Sequence, residues 1–311
     1  MKRKQLCQLV CIVILVALGG TALAWTTPVL LTELNNTSTG KNAISPHLSD
    51  DGLTMYFSRK NAGNTAQIIE AYRDSTSGPF TTEKICDELG TLSVSSPWVS
   101  SDGLRMYHTR LDGSSIVYRL RMAFRESTSD DWTRSLGTIP GTIFFDIHID
   151  GTNDAEVSLS ADELTMFYRT NRATGDDTYE LWMATRDSIT DVSGDYVEFS
   201  NPIEITELND GLTNWDPFVL PDGLTMYFSS KRDGRSSLDL YKATRGSLAE
   251  SFSDITRLDI GSDSVAEVGV YVTPDESSLY FYDVSGIWYS VPEPATILLF
   301  GLGGIILRRK R

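Results

Sequence analysis

One short segment recurs five times along the chain, and this repetition constrains the fold more than any other feature of the sequence. Each copy has a short apolar run, an Asp-Gly or Asp-Glu pair, and a second run rich in aromatic residues. The aspartates that the copies share are Asp51, Asp102, Asp162, Asp222 and Asp275. They are 51, 60, 60 and 53 residues apart, which is the length of a propeller blade with loop insertions. The period predicts an all-β chain of five similar sheets.

Each copy is predicted to form a β-hairpin, because Asp-Gly between two apolar runs provides the positive φ that a tight turn needs. We interpret the shared aspartates as turn-forming residues. The alternative is a functional ring of carboxylates. A second repeated segment follows each of the first four hairpins and predicts a third strand. These segments end at Arg73, Arg125, Arg186 and Arg245.

Fourth strands are predicted near residues 84–89, 143–149, 203–208 and 255–260. The fifth unit stops after its third strand, near Trp288 and Tyr289. The missing strand is expected at the start of the chain, where Leu31–Asn35 resembles the fourth-strand segment Ile205–Asn209. The sequence therefore predicts a five-bladed β-propeller that is closed by its N-terminal strand. Such closure removes open sheet edges.

The repeats resemble the WD-repeat-like propeller repeats of the periplasmic TolB family. The residues that carry the likeness are the Ser-Pro-Asp-Gly-like turns before an aromatic strand, as in Pro221-Asp222-Gly223 before Met226-Tyr227-Phe228. The likeness covers nearly all of residues 28–290. It implies a β-propeller in an exported protein.

The N-terminus has the pattern of a secretory signal peptide over residues 1–24. Three basic residues precede an apolar run from about Leu9 to Leu18, and Ala22-Leu23-Ala24 forms an A-x-A cleavage site for signal peptidase. The run is shorter than the ~20 residues of a membrane span. An uncleaved anchor is the alternative. Cys7 and Cys11 would leave with this segment, so the remaining Cys86 is expected to be a buried, inert thiol, with a reactive thiol as the alternative.

The C-terminal segment, 291–311, combines Pro292-Glu293-Pro294, a 13-residue apolar run and four terminal cations. Cations directly after an apolar run fit a stop-transfer signal. The arrangement resembles the PEP-CTERM sorting domain of Gram-negative-type bacteria. The resemblance implies an exosortase as processing partner, a short transmembrane helix, and export to the envelope membrane or an extracellular matrix.

The body of the chain, residues 25–290, is strongly acidic. It holds 20 of the 27 basic residues and 41 of the 42 acidic ones, a net charge of −21. Such a charge repels nucleic acid and anionic surfaces. We therefore expect no nucleic-acid partner.

Two acids are candidate catalytic residues. Ser45, Ser96, Glu156, Asp216 and Gly269 each precede a shared aspartate by six residues, and we expect them to face the central channel at one end. Glu156 and Asp216 come from adjacent blades, and paired carboxylates are what glycoside hydrolysis needs. The alternative is that these acids cap loop amides.

The sequence also contains a candidate calcium site. Asp146, Asp150 and Asp154 alternate as in a calcium loop, and Gly151 occupies the sixth position. The twelfth position, however, holds Val157 instead of the closing acid. The alternative is an edge strand followed by an Asp-Gly turn. The sequence predicts no other cofactor.

Trp98 and Trp215 are the candidate ligand-binding aromatics, because both lie near the start of an inner strand and tryptophan stacks well on sugar rings. Packing between blades is the alternative. We expect a non-catalytic module that binds a polysaccharide or an envelope protein at one mouth of the ring. A carbohydrate-active enzyme, a hydrolase or lyase, is the second hypothesis, and a structural matrix protein is the third.

Overall fold

The computed structural model describes residues 24–293 except 36–39, 91, 114–116, 135–143, 145, 176 and 263. Most of the predicted signal peptide and sorting tail, including Ala22 and Pro294, lies outside the described residues. Within them, no helix is long and apolar enough to cross a membrane.

Twenty β-strands and two short 3₁₀ helices make up the regular structure of the described residues. The 3₁₀ helices are Thr32–Leu34 and Asp87–Leu89. The strands are, in chain order, β1 (Val29–Leu30), β2 (Ala43–Leu48), β3 (Thr54–Lys60), β4 (Ala66–Tyr72), β5 (Thr82–Ile85), β6 (Val94–Val99), β7 (Arg105–Asp112), β8 (Val117–Phe124), β9 (Thr133–Arg134), β10 (Asp154–Leu159), β11 (Thr165–Thr170), β12 (Glu180–Thr185), β13 (Ser200–Glu204), β14 (Asn214–Val219), β15 (Thr225–Ser230), β16 (Asp239–Thr244), β17 (Ser253–Arg257), β18 (Val268–Val272), β19 (Leu279–Asp283) and β20 (Gly286–Ser290).

The strands form five antiparallel four-stranded sheets, so the prediction of a five-bladed β-propeller is confirmed. Blades I to IV are β2–β5, β6–β9, β10–β13 and β14–β17. Blade V has the order β1-β20-β19-β18, with the N-terminal strand on its outer edge. The inner strands of neighbouring blades pack against one another around the central axis.

The N-terminal strand closes the ring two residues earlier than predicted. Val29 pairs with Tyr289 and Leu30 with Trp288, whereas the predicted segment mostly forms the 3₁₀ turn Thr32–Leu34. Leu34 is completely buried. The recurring Thr-Glu-Leu sequence therefore marks the buried turn after a fourth strand.

The prediction of a fourth strand near residues 143–149 in blade II was wrong. The structure forms β9 over Thr133–Arg134 instead. Phe144, Asp146 and Ile147 lie in turns, and Phe144 and Ile147 are buried in the core of blades II and III. The apolar alternation near residue 147 thus reflects burial of a loop, and the edge-strand interpretation of this segment was also wrong.

Four repeated arginines fix the hairpin turns. Each guanidinium Nε donates a hydrogen bond of 2.7–2.9 Å to the carbonyl after the shared aspartate. Each guanidinium also stacks on an aromatic ring, with 4.1–4.7 Å between its carbon and the ring centroid. The arginine–ring pairs are Arg73–Phe80, Arg125–Trp132, Arg186–Phe199 and Arg245–Phe252. The sequence shows that these arginines repeat, but it did not predict that they bind the turn carbonyls and stack on aromatic rings.

Candidate functional site

Five residues with left-handed backbone form a ring at the start of the inner strands. They are Ser45, Ser96, Glu156, Asp216 and Gly269, with φ between 49° and 64°. The pairing of each inner strand with its second strand slips at this point, which is the signature of a β-bulge. All five residues line one opening of the central channel, which we call the bulge mouth.

The bulge amides of blades II and III are capped by hydroxyls of the preceding blade. The Ser96 N–H donates to Ser58 Oγ at 3.0 Å, and the Glu156 N–H donates to Thr109 Oγ1 at 2.9 Å. Burying an amide without an acceptor is costly. These hydroxyls therefore stabilise a strained backbone position.

Carboxylates perform the same capping in blades IV and V. Glu156 Oε2 accepts the Asp216 N–H at 3.0 Å, and Asp216 Oδ2 accepts the Gly269 N–H at 3.0 Å. At the register of Ser58 and Thr109, blade III carries Arg169, which has no acceptor for an amide. Glu156 therefore supplies the acceptor for the Asp216 amide. Blade IV carries Ser229 at this register, yet the Gly269 amide is capped by Asp216.

Glu156, Asp216 and Arg169 form one buried electrostatic cluster. Arg169 Nε lies 2.5 Å from Glu156 Oε2, and the guanidinium stacks on Tyr179 and Trp215 at 4.2 and 4.7 Å. Burial, followed by the charge of Glu156, raises the pKa of Asp216 well above its usual range. The Arg169 guanidinium acts in the opposite direction and favours the charged form of Asp216.

The cavity at the bulge mouth is small. Its volume is about 40 Å³, far below the 300–1,000 Å³ typical of ligand pockets. A few waters fit there, and a sugar ring does not.

The opposite opening, which we call the turn mouth, lies among the hairpin turns. Its cavity of about 110 Å³ is lined by His47, Trp98, Phe218 and Tyr271, with Asp50 at the rim. The Tyr271 ring centroid lies 5.0 Å from those of both His47 and Phe218. Burial lowers the pKa of His47 to about 4, so the imidazole is neutral at pH 7 and the floor of this cavity is uncharged.

A larger groove continues from the turn mouth along the seam between blades I and V. Its volume is about 590 Å³. Arg73, Tyr280 and Tyr289 line it, together with residues of the hairpin turns of both blades. We call it the seam groove. No feature of the sequence read in isolation pointed to it.

The two candidate tryptophans lie in different surroundings. Trp98 is 9% exposed and contacts the cavities at both ends of the channel. Trp215 lies beneath Arg169 and beside Tyr179, with 6.2 Å between the Trp215 and Tyr179 ring centroids. Only Trp98 therefore faces a cavity described above.

The candidate calcium ligands are not brought together. Asp154 is completely buried, and its carboxylate binds Arg119 at 3.1 Å and Thr170 Oγ1 at 2.7 Å. Asp146 and Asp150 are exposed. The described part of the chain contains no group of three or more His, Cys, Asp or Glu side chains arranged to hold a metal.

The shared aspartates lie at the turns and bind their own backbone. Each accepts the N–H of the residue two positions later, at 2.8–3.0 Å. Cys86 is 2% exposed, and burial raises the pKa of its thiol.

Comparison with known proteins identifies the tail and the fold. Residues 290–311 match the PEP-CTERM protein-sorting motif, which indicates an exported protein sorted to the cell envelope and processed by an exosortase. No curated protein sequence matches the chain.

Solved structures with similar folds include the α-L-arabinofuranosidase PaAbf62A from Podospora anserina, with TM-score 0.60, 13% identity, and coverage of 88% of this chain and 97% of that one. A GH62 hydrolase bound to xylotriose has TM-score 0.58 and 9% identity over 86% and 96% of the two chains. A putative TolB from Agrobacterium tumefaciens has TM-score 0.46 and 16% identity, and the match covers 79% of this chain and 72% of that one. At these identities the likeness to the two hydrolases shows the fold alone, and the chain is an exported five-bladed β-propeller that carries a PEP-CTERM sorting motif.

Proposed function

We propose that the protein is a non-catalytic module that binds a polysaccharide of the cell envelope or extracellular matrix at the turn mouth. The observation that carries the proposal is the contrast between the two ends of the channel. At the bulge mouth, polar side chains bond to one another around about 40 Å³ of space. The turn mouth presents aromatic rings and opens into a groove of about 590 Å³.

The chemistry of the turn mouth suits a sugar. Trp98, Phe218 and Tyr271 are largely buried and form the aromatic lining of the cavity. The polar turn residues around it include Asp50 and Ser101. Carbohydrate sites combine flat apolar faces for the ring with polar groups for the hydroxyls. The sorting motif is consistent with this ligand, because a protein exported to the envelope meets surface glycans.

The geometry of the acid pair favours binding over hydrolysis. The carboxyl groups of glycoside hydrolases stand about 5–9.5 Å apart so that substrate or water fits between them. Glu156 instead pairs with Arg169, and Glu156 and Asp216 each accept a backbone N–H. If the enzyme hypothesis held, Glu156→Gln and Asp216→Asn would abolish cleavage of a retained polysaccharide, which a reducing-sugar assay measures.

A polysaccharide array tests the proposal. The purified full-length chain is applied with and without calcium, next to the variants Ser101→Trp, which narrows the turn mouth, and Val192→Trp, which alters a fully exposed loop position. We expect specific retention that Ser101→Trp weakens at least tenfold and Val192→Trp leaves unchanged. Equal retention by both variants would overturn the assignment to the turn mouth. A blank array would instead favour a protein ligand or a structural matrix role.

A further inference from the structure

Three seams between neighbouring blades contain a carboxylate of the protein beside a second-strand tyrosine. In the seam of blades II and III, Glu163 accepts the Tyr107 hydroxyl at 2.8 Å and binds Arg105 at 2.7 Å. In the seam of blades IV and V, Glu276 accepts the Tyr227 hydroxyl and binds Lys242 Nζ at 2.7 Å. A carboxylate, a tyrosine and a cation thus recur as a unit.

The seam of blades I and II holds the same unit in another arrangement. Arg125 donates to Glu70 at 3.1 Å and to the Tyr56 hydroxyl at 3.0 Å. The carboxylate here comes from the third strand instead of the hairpin turn. The seam of blades III and IV has Phe167 at the tyrosine register, packed against Phe252 at 6.4 Å, and this apolar seam needs no acceptor.

The seam of blades I and V has the tyrosine and the cation without the carboxylate. Arg73 and Tyr280 line the same groove, and among the described residues no carboxylate forms an ion pair with Arg73. The turn position that holds Glu163 and Glu276 in blades III and V is Gly52 in blade I. Where those glutamates extend into their seams, this seam has the open groove of about 590 Å³.

The geometry points to the seam groove as a binding site for a carboxylate supplied by the ligand, namely a uronic acid residue of an acidic polysaccharide. This inference rests on the proposed function and names the sugar class. The ligand carboxylate takes the place that Glu163 and Glu276 occupy elsewhere, between the Arg73 guanidinium and the Tyr280 hydroxyl. Arginine prefers carboxylates because its N–H groups match their two oxygens.

The remainder of the groove suits the sugar ring. Tyr289 is half-buried and presents an aromatic face. Thr76, Ser277 and Ser278 supply hydroxyl partners along the walls. The volume lies within the range of small-molecule sites.

The net charge of −21 opposes an anionic ligand in general, but Arg73 supplies a local positive charge in the groove. Asp50, Asp51 and Asp275 also line the groove. Asp50 is exposed, so solvent and salt screen its charge, and Asp51 and Asp275 are the turn aspartates, each of which accepts hydrogen bonds from its own turn. The equivalent Asp102 coexists with a carboxylate in its seam, since Arg105 bonds both Asp102 and Glu163. A carboxylate therefore binds beside a turn aspartate when an arginine is present.

The decisive variant is Gly52→Glu, which supplies the missing carboxylate from the protein itself. Gly52 has φ +70°, and Glu163 and Glu276 have φ +57° and +53° at the same position, so this turn accepts glutamate. The three atoms nearest to a Cβ at Gly52 all belong to side chains, namely Thr76 Cγ2 at 3.1 Å, Arg73 Nη2 at 3.7 Å and Leu48 Cδ2 at 3.9 Å. Gly52→Ala is the matched control, because it imposes the same backbone strain without a carboxylate.

Binding is measured by calorimetry on the full-length chain with four-residue oligomers of galacturonate, glucuronate and mannuronate, and with their methyl esters. We expect one acid oligomer to bind and its ester to bind at least tenfold more weakly. Gly52→Glu is expected to lose at least tenfold in affinity, and Gly52→Ala to stay within about threefold. Tyr280→Phe, which removes only the hydroxyl, is expected to weaken binding about tenfold.

Five results would overturn the inference. Equal binding of acid and ester would remove the role of the carboxylate, and full binding by Gly52→Glu would place the ligand elsewhere. Binding of a peptide with a free C-terminal carboxylate in place of every uronate would assign the groove to a protein partner. Retention of neutral polysaccharides alone on the array would sink this inference while leaving the proposed function intact, whereas a blank array would overturn both.

Discussion

The Asp216 main-chain N–H donates to the Glu156 carboxylate at 3.0 Å, so an acid of blade III satisfies the bulge amide of blade IV. The same carboxylate neutralises the buried Arg169 guanidinium. Two residues that resemble a catalytic pair in the sequence thus join adjacent blades.

Replacing Glu156 with alanine should destabilise the propeller strongly. The change leaves Arg169 buried without its carboxylate, and breaking a buried ion pair from one side costs about 3–5 kcal/mol. Urea denaturation followed by tryptophan fluorescence measures the loss. Asp187→Asn, at an exposed acid, is the control and should change the free energy of unfolding by less than about 0.5 kcal/mol. Equal effects of the two changes would refute the role assigned to Glu156.

The stability of the wild type should fall with rising pH because of Asp216. Burial raises the pKa of this carboxyl in the folded state above the unfolded value near 3.8. The folded state therefore keeps a proton that the unfolded chain has lost. Its contribution is fully present below pH 3.8 and is lost as the pH rises through the folded pKa.

Asp216→Asn keeps an amide oxygen for the Gly269 N–H but cannot ionise. The difference in unfolding free energy between this variant and the wild type should shift in favour of the variant from pH 5 to pH 9. Taking the difference cancels the contributions of other titrating groups to the pH dependence. One such group is Glu267, whose pKa is raised to about 7 chiefly by burial. A difference that is constant with pH would contradict the prediction.

Arg125 should contribute more to stability than Arg245, although the two occupy the same position in their blades. Arg125 binds the buried Glu70 as well as its own turn. Arg125→Ala should therefore cost about 3–5 kcal/mol. Arg245 contacts backbone carbonyls and the Phe252 ring, so Arg245→Ala should cost about 1–2 kcal/mol. Thermal denaturation of both variants checks the ranking.

Closure of the ring should depend on residues before the first hairpin. Trp25 is 6% exposed and Leu34 is fully buried, and both pack in the core of blades I, IV and V. Leu34→Ala should cost about 2–5 kcal/mol. Val29→Ala is the control, because Val29 is 60% exposed. Light scattering should also show that Leu34→Ala self-associates, since weakened closure exposes the edge of β20.

Cys86 should resist alkylation in the folded protein. Burial raises the pKa of its thiol, and the reactive form of cysteine is the thiolate. Iodoacetamide labelling at pH 8, mapped by mass spectrometry, should modify Cys86 only after urea is added. Rapid labelling of the native chain would restore the alternative of a reactive thiol.

The sequence by itself determined the repeat architecture of this protein. Turn formation is local, so Asp222-Gly223 and its equivalents specify hairpins wherever they occur, and their number specified five blades. The likeness of residues 31–35 to residues 205–209 was enough to predict closure, because a fifth blade with three strands lacks one hydrogen-bonded neighbour. Blade II departed from the pattern because Phe144 and Ile147 are buried in a loop.

Only the tertiary structure decided what the polar residues do. Glu156 and Asp216 are 60 residues apart in the chain, and whether such acids stand apart around a substrate or cap backbone amides depends on the distance between blades. Likewise, Gly52 is an ordinary turn glycine in the sequence, and only the structure shows that it lines the same groove as Tyr280 of the last blade. Turns follow from neighbouring residues, whereas the partner of a charged side chain is chosen by packing between distant segments.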